Sequence, residues 1–145
     1  MVFWQLTIDA HDPPRLVAFW AQALGYSPAP PDLDTPWYRH YRGRLGGDDA
    51  FDNRLFDPAG QQPPLWFQQV PEGKAVKNRL HIDVYATARD DSLPIARRVE
   101  LVDAVVARLT ALGATIINVT REDDPDDAFY FVTMQDPEGN EFCVS

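Results

Sequence analysis

Two stretches of the chain alternate strictly between apolar and polar residues. Trp4, Leu6 and Ile8 are interleaved with Gln5, Thr7 and Asp9, and Leu80, Ile82 and Val84 with His81, Asp83 and Tyr85. A period of two sends successive side chains to opposite faces, so the pattern predicts half-buried strands over 4–9 and 80–85. A helical spacing follows each. Leu16, Phe19, Trp20 and Leu24 form one apolar stripe, and Val102, Val105, Val106, Leu109 and Leu112 form another. Asp12 is placed to cap the first helix, with Pro13 at its first position. Both helices end in the same phrase, Ala23-Leu24-Gly25 and Ala111-Leu112-Gly113, where glycine accepts the left-handed conformation that stops a helix.

A third landmark recurs after the helices: Asp57-Pro58-Ala59-Gly60 in the first half and Asp136-Pro137-Glu138-Gly139 in the second. Proline and glycine sit where a tight reversal wants them. Each turn leads into an alternating closing strand, 65–70 or 140–145. The segments before the turns, 54–56 and 129–134, read as hairpin partners. The order is strand, helix and three strands, twice over, which predicts an α+β fold of two βαβββ modules. The first covers about 1–70 and the second about 78–145 of a single 1–145 domain. Extra residues fall in 86–97, where Pro94 marks a loop, and in 26–53.

Composition narrows the function classes. The chain has 145 residues, enough for one core, and no apolar run approaches the ~20 residues of a membrane span. The first nine residues carry no basic group, unlike a signal peptide, and the expectation is a cytoplasmic protein. Cys143 is the only cysteine, which excludes an internal disulfide and a multi-thiolate zinc site. A net charge of −9 argues against a nucleic-acid partner. The local exception, Lys74, Lys77 and Arg79, reads as a solvated connector in preference to an anion-binding lip.

Three phrases carry a resemblance: 12–20 (DPPRLVAFW), 77–83 (KNRLHID) and 136–142 (DPEGNEF). The chain resembles glyoxalase-like domains of the vicinal oxygen chelate superfamily, in the subgroup common in actinobacteria, over nearly its whole length. The resemblance implies paired βαβββ modules whose curved mixed sheet encloses a cleft, with ligand residues on the first and last strands of each module. It also implies a small-molecule ligand and a homodimer, while the lack of a long apolar run argues against a membrane partner. The superfamily holds metal-dependent isomerases and lyases, dioxygenases, thiol transferases and metal-free antibiotic-binding proteins, so the fold does not name the reaction.

The side of each strand opposite its apolar face must point into whatever the sheet encloses. That parity selects Gln5, Thr7 and Asp9, His81, Asp83 and Tyr85, Trp66 and Gln68, and Glu141 with Cys143. By resemblance Gln5 and His81 hold the first and third metal-ligand positions. The glutamate of the last strand is replaced by Cys143, and Glu141 stands one pleat earlier; the remaining ligand position falls near Trp66 or Gln68. Gln5, His81 and Glu141 are therefore the metal candidates, for zinc, nickel, cobalt or manganese, and Glu141 and Asp83 the catalytic ones. Asp9, Trp66, Gln68, Tyr85 and Cys143 are the substrate-binding candidates. His11 and His40 lie in or beside loops and do not complete a facial triad of two histidines and a carboxylate. Trp37, Tyr38 and Tyr41 read as core aromatics.

Two functions remain open. In one, a divalent ion polarises vicinal oxygens of a small substrate, and a lyase or isomerase acts through an enediolate-like intermediate. In the other, no metal is bound and the protein sequesters a small aromatic or antibiotic-like compound without catalysis.

Overall fold

The computed structural model describes residues 3–35, 38, 39, 41, 52–90, 92–124 and 127–145. It is an α+β fold with two mixed sheets, divided into two compact units, Met1–Gly73 and Lys74–Ser145.

In the first unit, β1 (Leu6–Ala10) leads to α1 (Pro13–Leu24), then β2 (Arg54–Leu55) and β3 (Leu65–Gln69). Asp12 caps α1 by accepting the Arg15 N–H at 3.3 Å. Gly25 ends the helix at φ +69°, a left-handed geometry that costs glycine little, and returns its N–H to the Ala21 carbonyl. The sheet order is β1-β3-β2, with β1 and β3 parallel and Leu6 opposite Leu65. Ser27 and Phe56 form one antiparallel bridge, and among the described residues this bridge is all that stands where the third strand of the module is expected. Leu65 and Phe67 turn inward under α1, while Trp66 and Gln68 face the other way.

The second unit runs β4 (Asp83–Val84), α2 (Ile95–Ala111), β5 (Thr115–Glu122), β6 (Phe129–Gln135) and β7 (Glu141–Val144), in the order β4-β7-β6-β5. Again the opening strand lies parallel to the closing one, Asp83 opposite Cys143. Phe142 and Val144 are fully buried beneath α2 with Val102, Leu109, Val132 and Met134.

The two Asp-Pro-x-Gly turns are built alike. Asp57 accepts the N–H groups of Ala59, Gln61 and Gln62, and Asp136 those of Glu138 and Asn140 with the Asn140 side-chain amide. In each, the glycine N–H returns to the aspartate carbonyl.

The opening strands are shorter than the alternation predicts. Trp4 is 59% and Leu80 77% exposed, and pairing begins only at Leu6 and Asp83. Apolar alternation marks a strand only while a partner strand is alongside, and neither β3 nor β7 reaches back that far. Leu112 likewise stands at the cap of α2, 39% exposed, outside the stripe assigned to it.

Candidate metal and ligand sites

The parallel register of β4 and β7 decides what meets on the open face of the second sheet. Asp83 and Cys143 are direct partners, and Thr133 of β6 lies on the other side of Cys143. His81, two residues before Asp83 and so on the same face, brings its Nδ1 to 3.0 Å from Asp83 Oδ1. One ligand atom from each of His81, Asp83 and Cys143 falls within 4.8 Å of the other two, the one such grouping among the described residues. The Thr133 hydroxyl lies 3.8 Å from Cys143 Sγ. Imidazole, carboxylate and thiol together are a donor set suited to a borderline-soft divalent ion such as zinc. In the tautomer that carries its proton on Nδ1, toward Asp83, the His81 Nε2 lone pair is left for a ligand, as when a carboxylate orients a metal-bound histidine.

Glu141, one pleat earlier on β7, is occupied by other partners. It accepts the Asn78 N–H at 2.9 Å and pairs with Lys74 Nζ at 3.2 Å. The Asn78 N–H, together with Lys74, holds its carboxyl below the usual carboxylate range against the opposing effect of burial. Of the basic segment, Lys74 is thus taken up by one of the protein's own carboxylates. Lys74 sits 67 residues from Glu141, so only the fold brings them together.

In the first unit Gln5 is also engaged. Its Oε1 accepts the Tyr41 hydroxyl at 2.9 Å and an Arg54 N–H at 3.1 Å. The Arg54 guanidinium lies over the rings of Trp66 at 4.7 Å and Tyr41 at 5.4 Å, a cation between aromatic faces. Arg54 is opposite Trp66 in the β2-β3 register, which sequence reasoning missed because two-residue strands leave no periodicity to read. Trp66 Nε1 is buried without an acceptor among the described residues.

Asp9 and Gln68 are register partners on the face that carries Trp66. Tyr85 follows β4, half-exposed under the guanidinium of Arg89. Tyr38 and Tyr41 are buried against Phe56. Trp37 and His40 lie outside the described residues. His11 borders a separate hollow in the first unit with Asp12, Asp52 and Gln69.

A sequence profile of the glyoxalase-like domain matches residues 5–145. The chain belongs to that family. Several chains of known structure share its fold at low identity. A glyoxalase/bleomycin resistance protein/dioxygenase family enzyme from Burkholderia phytofirmans is 19% identical, with a TM-score of 0.54 over 97% of this chain and 94% of that one. The fosfomycin resistance protein FosX from Mesorhizobium loti is 12% identical, with a TM-score of 0.55 over 99% and 92%. A point mutant of FosX from Listeria monocytogenes, complexed with Mn(II) and 1S,2S-dihydroxypropylphosphonic acid, is 13% identical, with a TM-score of 0.56 over 99% and 90%. The fold is thus that of the vicinal oxygen chelate superfamily. No curated protein matches the sequence, and no helix among the described residues is long and apolar enough to cross a membrane.

Proposed function

We propose that this glyoxalase-like chain binds a divalent metal on the open face of its second module and acts as a lyase or isomerase on a small organic substrate. The supporting observation is the convergence of His81, Asp83 and Cys143 within 4.8 Å. The donor set fits the ion: the thiolate and carboxylate supply negative charge and the imidazole a neutral nitrogen. When bound, such an ion polarises substrate oxygens and stabilises an enediolate-like charge.

The chain's own residues do the rest. Asp83 orients the His81 ring through Nδ1, and its carboxylate is the group assigned to take the substrate proton. Cys143 takes the place of the last-strand glutamate of glyoxalase-type relatives. Gln5 and Glu141, the other ligand candidates, each face a cation, Arg54 and Lys74 respectively. To join the ion they would have to exchange that partner for it, so they enter the reading as groups that orient their surroundings. The cytoplasmic location, the actinobacterial-type subgroup and a homodimer belong to the same reading.

Metal content after equilibration with zinc, nickel, cobalt or manganese tests it. Near-stoichiometric metal is expected, reduced to background by His81→Ala and weakened by Cys143→Ser. Wild-type content equal to that of His81→Ala ends the reading.

A second reading, a metal-free binder, draws on the Trp66 face. The Arg54-backed Trp66 ring offers a flat surface to a planar ligand. Thermal-shift screening with chelator present would then find stabilising aromatic compounds, and Trp66→Ala would abolish the shift.

A further inference from the structure

Beyond the metal cluster, the second unit has a small cavity of about 230 Å³ lined by Tyr85, a substrate-binding candidate, and by residues that the metal reading does not use, among them Arg89, Arg98, Phe129, Tyr130 and Phe131. Its chemistry is unlike that of the acidic protein around it. Arg98 donates Nε to the Leu93 carbonyl at 3.1 Å and an Nη1 hydrogen to the Ala128 carbonyl at 3.2 Å. Arg89 donates to the Tyr85 hydroxyl at 3.0 Å and lies 4.7 Å above that ring. All of these partners are neutral. Among the described residues neither guanidinium is paired with a carboxylate, in a chain of net charge −9. Each guanidinium has five N–H donors, so both keep donors to spare after these bonds.

The remaining walls are Thr87, Ser145 and aromatic rings. Phe129 and Phe131, on one side of β6, stack at 6.0 Å with an interplanar angle of 24°. Phe129 is 38% exposed, which leaves ring surface open. Tyr130, on the opposite side, commits its hydroxyl to Asp103 at 2.7 Å, and the Ser145 carbonyl is taken by the Ala86 N–H. The loop that carries Arg89 holds two successive non-glycine residues at positive φ, Ala88 at 50° and Arg89 at 58°. L-residues resist that conformation, and in it the Arg89 side chain folds back over Tyr85.

We infer that this cavity is a binding site for a small aromatic carboxylate, its carboxylate received by Arg89 and Arg98 and its ring laid against Phe129 and Phe131. Planar guanidinium groups match a carboxylate in shape and charge, and phenylalanine rings match an aromatic ring in stacking. The cavity suits a one-ring ligand. The inference stands apart from the metal reading, because none of its residues belongs to the His81 cluster.

The test uses benzoate as probe on the full chain, with chelator present so that metal plays no part. Arginine Nε–Hε and backbone amide signals are followed by NMR. Saturable shifts at Arg89, Arg98 and Phe129 are expected, with a Kd raised roughly tenfold by Arg89→Gln, which alters an exposed loop, and by Arg98→Lys, which keeps the charge but loses the planar fork. Benzamide, the same ring without the charge, should bind about tenfold more weakly, and Phe129→Ala should weaken benzoate but not acetate. Arg98 also holds two backbone carbonyls, so its variant is read only alongside Arg89→Gln. Absence of shifts at these residues at millimolar benzoate, or benzamide binding as tightly as benzoate, overturns the inference.

Discussion

The two modules share a plan and differ in what they do with it. Both set the opening strand parallel to the closing strand, both follow the helix with a glycine at positive φ, and both reverse through Asp-Pro-x-Gly. On the open face they diverge. The first module closes its polar groups onto one another: Gln5 is held by Tyr41 and Arg54, and Arg54 is laid between aromatic rings. The second leaves an imidazole, a carboxylate and a thiol converging without a lysine or arginine in the grouping. The difference teaches that a duplicated scaffold preserves what the backbone needs, the turns and the register, while side chains on the open face are free to specialise.

The largest effects should come from the cores, where the modules ought to behave alike. Phe67→Ala and Phe142→Ala each empty a fully buried position and should cost about 3–5 kcal/mol of stability, measured by urea unfolding. A large cost for one and a negligible cost for the other would deny the modules equivalent cores.

The turns should separate them. Asp136 is 3% exposed and accepts several hydrogen bonds from partly buried donors, so Asp136→Ala leaves those donors unpaired and should cost about 2–3 kcal/mol. Asp57→Ala, in a more exposed turn whose N–H groups water can reach, should cost about half that. The glycines should order the other way. Gly60 and Gly139 both have positive φ, but a methyl group on Gly60 would run into Leu33 Cδ1, whereas on Gly139 the nearest contact is an ordinary 3.7 Å. Gly60→Ala should therefore destabilise more than the roughly 1 kcal/mol of backbone strain expected for Gly139→Ala. Equal losses on thermal unfolding would show that Leu33 gives way freely.

The smallest effect is electrostatic. Glu141 titrates below the usual carboxylate range, chiefly because the Asn78 N–H favours its charged form. A carboxyl lowered in the folded state contributes stability that is full above its unfolded value and is lost as pH falls through the folded one. The urea midpoint of the wild type should thus fall on acidification from about pH 6 to about pH 3, and its advantage over Glu141→Gln should shrink over the same window. An advantage that stays constant across that window would show that the pairing with Asn78 and Lys74 does not depend on the Glu141 charge.

Much of this was legible in the sequence. The alternation of Leu65, Trp66 and Phe67 and of Glu141, Phe142 and Cys143 assigns faces as the structure does, because both strands are paired and covered on one side. Leu80 and Trp4 mislead for the opposite reason: their apolar character continues past the end of the ladder. His81, Asp83 and Cys143 were each recognisable as open-face residues, but their convergence needs the β4-β7 register, which no local pattern encodes. The partners of Glu141 and Gln5 were illegible for the same reason, since Lys74 and Arg54 reach them only across the sheets.

The most direct test of the central claim is X-ray absorption at the zinc edge of the full chain loaded with one equivalent of zinc. A sulfur scatterer at about 2.3 Å beside nitrogen or oxygen at about 2.0 Å is predicted, with the sulfur lost in Cys143→Ser. A spectrum of nitrogen and oxygen alone, unchanged by that substitution, would contradict a metal site in which Cys143 joins His81 and Asp83.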